Sequence, residues 1–384
     1  MSSVVSRPAG PTRTGGTGSP PHWSTSGTTA DRDAQTRHFA FLSYLRVLAI
    51  VGVVLLHTMA ATTQNTRIEG TPTWHAAIVV SSGFQWRVAV LVMVSGALLL
   101  RPKAGEGAWE FYRRRLQRIG IPLATWHVVY LVFLVVFVGV DLTVSQWIAR
   151  LASAKLYTAL YFFWLILGLY LLAPVLRAFL AQASKRDQWT IAVLATSAGL
   201  LNEIVSGFIR MQGGTAGGPY NVVTYCLPYV GYFMLGYLLK DVVLPRRWTV
   251  VVALGAVLIA AEKVWQRENL AELPVLNLLT PLSYLGFLTA VFSVLVFVLV
   301  RSLVPPTSWL AQPRIAVPLR RIGDLTLGVY ATHLLVMAVL QRQFHMTDGP
   351  TTLRELVFLP LATLVGAFAI SWVLSKIPYV RRAV

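Results

Sequence analysis

The amino-acid sequence predicts an all-α protein: a polytopic integral membrane helix bundle of about ten transmembrane helices. Three observations carry this expectation. Hydrophobic residues make up 55% of the 384 positions and charged residues only 12%, more apolar side chain than a soluble globule of this length needs. Apolar runs recur that are long enough, at roughly 20 residues, to cross a hydrocarbon core of about 30 Å as helix. The basic residues behind the formal net charge of +18 gather in short segments between those runs, as they do in an oriented membrane protein, so no nucleic-acid partner is expected.

Residues 1–38 are rich in Ser, Thr, Gly and Pro and lack an apolar run, so they are expected to form a disordered cytoplasmic tail. The first run, Phe39 to Ala61, is too long for a signal-peptide core and should stay as an anchor, with no cleaved export signal evident. Spans are then expected near 40–61, 76–100, 121–140, 157–179, 189–208, 221–239, 247–263, 276–300, 321–341 and 353–375, with 377–384 as a short basic tail. Alternate loops and the two tails hold 23 Lys and Arg, the opposite loops hold eight, and Arg46 and Arg87 lie within spans. That asymmetry assigns both termini to the cytoplasm of a multi-pass protein of the cell membrane. No tandem repeat or pair of matched, broken half-helices stands out, which counts slightly against a transporter built on inverted repeats.

Ionisable groups inside a span are expensive and therefore candidates for function. The first span supplies two, Arg46 and His57, eleven positions apart. That is close to three helical turns, so both project from one face, separated by roughly 16 Å along the axis. A histidine facing the bundle interior has the right intrinsic basicity to take a proton from a hydroxyl at neutral pH. The structural alternative is a histidine that packs across helices and an arginine that snorkels to the headgroups.

Arg-x10-His in the first span is also the signature of the membrane-bound acyltransferase-3 family, and further segments resemble that family in the same order. Val90 to Leu100 contains a Ser95-Gly96 pair, and Phe111 to Pro122 resembles a cytoplasmic Arg-x-x-Arg helix through Arg115 and Arg118. Trp164 to Leu176 fits the fourth span, and Ile322 to Leu334 resembles the closing Gly-x-Tyr-x-x-His run through Gly328, Tyr330 and His333. The resemblance covers about residues 39 to 376. It implies an integral membrane O-acyltransferase of the O-acetyltransferase type, moving an acyl group from acyl-CoA to a hydroxyl of a cell-surface glycan or a glycosylated or lipid-linked acceptor. Acetyl-CoA is the donor that family analogy favours, with succinyl left open. One departure stands out: relatives often open the fourth span with His-x-Trp-Phe, where this chain reads Ala159-Leu-Tyr161-Phe162-Phe163-Trp164. Acceptor identity therefore does not carry over.

In that reading His57 is the general base, or the nucleophile of an acyl-His intermediate, and Arg46 a nearby donor or an orienting group. Arg113, Arg114, Arg115 and Arg118 would hold the phosphates of coenzyme A, although arginines placed there also suit anionic lipid. Ser95, Trp164, Tyr330 and His333 are candidates to touch substrate, and Glu203 a candidate carboxylate orienting His57. Asp324 reads as a helix N-terminal carboxylate favoured by the macrodipole. His22, His38, His75 and His345 fall in loops or the tail and His127 in an apolar span, with no ligand spacing, so no metal is expected. The lone Cys226 excludes an intramolecular disulfide. Two rivals remain at this stage: a transporter or flippase with Arg46, His57 and Arg87 lining the path, and a non-enzymatic membrane component.

Overall fold

The computed structural model describes residues 29–101, 107–214, 221–269 and 272–384. Among these the chain is a helix bundle without strands. The helices are α1 (Thr29–Met59), α2 (Pro72–Gly83), α3 (Arg87–Leu99), α4 (Ala108–Phe133), α5 (Val144–Ala152), α6 (Tyr161–Gln182), α7 (Lys185–Met211), α8 (Val230–Leu239), α9 (Arg246–Glu268), α10 (Pro274–Leu279), α11 (Phe287–Leu303), α12 (Pro313–Asp324), α13 (Thr326–Gln343) and α14 (Leu353–Lys376). Helix α1 starts inside the segment expected to be a tail, and residues 1–28 of that tail lie outside the described residues.

Seven helical stretches are long and apolar enough to cross a membrane, and α12 with α13 make an eighth if that pair, bent by 49°, is one span. Two further apolar helices, Leu227–Leu239 and Phe287–Leu303, fall short of that length. They occupy two of the expected spans, where Pro228 and the Ser283–Gly286 turn set the helix starts. Phe111 to Arg118, the segment that resembles a cytoplasmic Arg-x-x-Arg helix, forms the start of α4, which runs on through Pro122. His75, expected in a loop, lies on α2 and meets Glu268 at 2.6 Å.

Helix α1 is central. It packs on α2, α3, α11, α12, α13 and α14, and its face carrying Phe41, Leu45, Ala49, Val53 and Val54 is buried in the main core. Helices α7 and α9 are peripheral and expose apolar residues along their outer faces. On α9 the exposed Trp248 and Trp265 are 17 positions apart, roughly 25 Å along the axis, the separation expected of aromatic anchors at two membrane interfaces.

Without a hydrophobic drive between helices in lipid, close association relies on small residues that let backbones touch. Helices α3 and α8 cross in this way, with Gly96 against the Phe233 carbonyl and Gly236 against the Met93 carbonyl. A Cβ at either glycine would run into backbone, so the glycine of the Ser95-Gly96 pair has a packing role. A third glycine shapes the join of α2 and α3. Gly52 of α1 leaves room for the Phe84 ring, whose Cδ1 would stand 2.5 Å from an added Cβ. Phe84 lies in the break between α2 and α3, and that break makes Arg87 the first residue of α3.

Candidate active site

The polar stripe of α1 meets two partners on the α12–α13 pair. Near its start, Arg46 reaches Asp324 at 3.8 Å, at the bend where α12 stops and α13 begins. Eleven residues on, the His57 ring lies 5.3 Å from the ring of His333, centroid to centroid. Asp324 thus ends a helix rather than beginning one, and it answers the charge of Arg46.

His333 is fully buried, whereas His57 keeps part of its surface accessible. The Nδ1 of His333 lies 2.6 Å from the Tyr330 carbonyl and 3.2 Å from that of Val329. A nitrogen facing two carbonyls donates, so in the neutral ring the other nitrogen, Nε2, holds a lone pair. That Nε2 is buried and has no hydrogen-bond partner.

Arg87, 2% exposed, is the buried guanidinium nearest in effect to the two rings. Its guanidinium donates to the Phe84 carbonyl and the Tyr284 hydroxyl, each at 3.2 Å, and lies over the Tyr284 ring. Its Nε is unpaired, and among the described residues no carboxylate answers it. Arg87 is close enough to act electrostatically on His57, His333, Tyr161 and Tyr330. Arg46, roughly 16 Å down α1 from His57, belongs to a different neighbourhood. Arg87 is thus the guanidinium of the histidine layer. Sequence reasoning had set it only on a transport path, although a lone arginine inside a span was the available signal.

Two cavities lie near this layer, and neither His57, His333 nor Arg87 lines either of them. A basic cavity of about 310 Å³ is lined by Arg46, Arg115, Arg118, Arg177, Ser95 and Asp324 among others, and reaches inward to Phe162 and Tyr330. The Tyr330 hydroxyl donates to the Ala159 carbonyl at 2.8 Å, fixing that end, and its ring centroid is 5.7 Å from that of His333. Ser95 donates to the Leu91 carbonyl at 3.0 Å. The Arg115 guanidinium lies over Phe111 and Tyr170. A tyrosine cavity of about 400 Å³ is lined by Tyr157, Tyr161, Tyr225, Tyr229, Tyr284 and Glu203. Tyr161 and Phe162, neighbours at the start of α6, face one cavity each, so the partition between them is one residue wide there.

The candidate residues thus sort into groups. Arg46, Arg115, Arg118, Ser95 and Tyr330 share the basic cavity, His57 and His333 share the layer, and Glu203 lines the tyrosine cavity. Arg113 is exposed on α4, and Arg114 pairs with Glu110 one turn back. Trp164 lines neither cavity; its Nε1 donates to His127 Nε2 at 3.0 Å, tying α6 to α4. Arg177 and Tyr170 belong to the basic cavity and Tyr284 to the tyrosine cavity, and the sequence alone singled out none of the three.

The His57–His333 pair, Arg87 and the two cavities that reach Tyr330 and Tyr284 form one polar region inside the bundle. The model of the acyltransferase domain family matches residues 39–376, and the chain belongs to that family. No curated protein and no solved structure matches the chain.

Proposed function

We propose that the protein is an O-acyltransferase that takes an acyl group, acetyl in the simplest case, from acyl-CoA on the cytoplasmic side and passes it to a hydroxyl. The observation that supports this reading is the His57–His333 pair, linked through Tyr330 to a basic cavity and through Arg87 and Tyr284 to a tyrosine-lined one. A polyanionic thioester suits the first cavity, where guanidinium groups can pair with its phosphates while the pantetheine arm extends toward Tyr330. A glycan or lipid-linked sugar suits the second, since tyrosine rings and a carboxylate offer stacking faces and hydrogen-bond partners. The basic loops support an orientation with the arginine-lined end, and with it both termini, in the cytoplasm of a cell-membrane protein.

In the transfer, the acceptor hydroxyl attacks the thioester carbonyl and His57 takes its proton. As His57 becomes charged, its other N–H turns to the lone pair on His333 Nε2, the part that a carboxylate plays in a catalytic triad. Arg87, already desolvated and held by Phe84 and Tyr284, stabilises negative charge as it develops on the carbonyl oxygen. Collapse of the tetrahedral centre breaks the C–S bond, and the thiolate leaves with the proton that His57 returns. Arg46, paired with Asp324, serves the donor's phosphates rather than the reacting carbonyl. Family membership favours group transfer over the rival of a transporter or flippase, and the layered site supplies a role for the buried ionisable groups.

The test uses purified protein in nanodiscs with radiolabelled acetyl-CoA and a panel of glycan acceptors. His57→Ala at matched folding is expected to lower label transfer by about a hundredfold or more. Transfer at the wild-type rate would remove His57 from the reaction. Label that crosses a sealed vesicle membrane unreacted would restore the transporter reading.

A further inference from the structure

Beyond the basic cavity lies a second hollow of about 510 Å³ that the reading above leaves unused. It shares Arg118, Asp324 and Leu327 with the basic cavity, so the two are continuous along one wall. Its other lining residues include Arg114, Arg381, Arg382 and Val384. Half of that arginine set comes from the segment that follows α14.

This segment is built into the fold. After Lys376 the chain reverses at Tyr379, which has φ 71° and ψ −50°, with Val380 N–H donating to the Pro378 carbonyl at 3.0 Å. That is the three-residue turn rarely adopted by a residue with a side chain, and a strained backbone of this kind persists only where its surroundings fix it. A turn of 3-10 helix, Val380–Arg382, follows. Trp126 of α4 then donates from Nε1 to the Ala383 carbonyl at 2.8 Å, a buried bond, and Ala383 itself is buried. Val384 packs beside Gly328 of α13, whose added Cβ would stand 2.9 Å from the Val384 Cβ. Residues on α4 and α13, two of the helices that line the basic cavity, therefore hold the segment down, and Arg381 and Arg382 line the hollow together with Arg114 and Arg118.

We propose that segment 377–384 completes the donor site by holding the 3′-phosphorylated nucleotide end of coenzyme A, a proposal that rests on the acyl-CoA reading above. The order of groups along the donor matches the order of the lining residues. The acyl-pantetheine arm fills the basic cavity up to Tyr330, and the diphosphate lies at the shared wall by Arg118. The ribose 3′-phosphate, further out, meets Arg381 and Arg382. Guanidinium groups suit it because their fixed fork of donors matches phosphate oxygens. Asp324, the carboxylate on the shared wall, is engaged by Arg46, so the hollow keeps a positive balance.

The experiment is calorimetric titration of CoA and of 3′-dephospho-CoA into the full chain in zwitterionic nanodiscs, for wild type and for Arg381→Gln/Arg382→Gln. Wild type is expected to prefer CoA by about tenfold, the size of one charge-assisted contact at a partly solvated site. The double variant should bind CoA only as tightly as wild type binds 3′-dephospho-CoA, and its affinity for 3′-dephospho-CoA, near the wild-type value, reports that the fold is intact. Arg381→Lys/Arg382→Lys should keep part of the preference. A double variant that still prefers CoA as wild type does would overturn this proposal and leave the donor reading standing. Arginine-dependent binding that appears only with anionic lipid would also overturn it, by giving these side chains to headgroups. Wild type that binds neither nucleotide would overturn the donor reading and this proposal together.

Discussion

The two cavities near the histidine pair differ in the chemistry they present. Four arginines with a single carboxylate line the basic one, which suits a ligand whose charge is known in advance and whose shape is extended. The other is lined by five tyrosines with Lys155 and Glu203, and suits a neutral ligand that offers many hydroxyls. Charge sets the first side and shape the second. Substitutions in the basic cavity should therefore act on every donor alike, while those in the tyrosine cavity should change which acceptor is taken.

The largest effect is expected where the two sides meet. Arg87→Met removes the buried guanidinium that both histidines feel, and should lower kcat by about a hundredfold with little change in either KM, as loss of an oxyanion donor does. A rise in KM for one substrate at unchanged kcat would move Arg87 out of the shared layer and into that substrate's cavity. Next comes the donor side. Arg115→Gln/Arg118→Gln should raise KM for acyl-CoA by about tenfold, leave the acceptor KM alone and weaken the salt dependence of binding. An equal rise for both substrates would erase the contrast between the cavities. The smallest effect is expected from Glu203→Gln, about a threefold to tenfold rise in acceptor KM with the donor KM fixed, as one hydrogen bond at a partly open site implies. The reverse pattern, donor KM up and acceptor KM fixed, would put Glu203 on the donor side.

How much of this could be read from the sequence depended on whether a feature was local to one helix. Arg46 and His57 could be placed on one face because helical geometry fixes a separation of eleven residues. The Arg115–Arg118 pair could be read for the same reason. Arg87 could not be placed, since the apolar run from 76 to 100 shows no sign of the break at Phe84, which depends on Gly52 in another helix. Asp324 reads in the sequence as a helix N-terminal carboxylate, since it stands at the start of an expected span. The bend that frees the Asp324 carboxylate for Arg46 is a tertiary feature. The expected link from Glu203 to His57 assumed that two groups at the same depth are neighbours, whereas depth says nothing about which helices adjoin. The structure gives Glu203 to the tyrosine cavity, and among the groups acting on His57 are His333 and Arg87.

The one-residue partition at Tyr161 and Phe162 also has an electrical meaning. Where water-accessible hollows enter a bilayer from both faces, the transmembrane voltage falls across the thin barrier left between them instead of across the full hydrocarbon thickness. A unit charge crossing that barrier feels about 2.3 kcal/mol per 100 mV. That barrier is aromatic, with Phe162, Phe163 and Tyr330 on the side of the basic cavity and Tyr161 on the other. A bundle with such a partition can keep two hollows close together without short-circuiting the membrane that holds it.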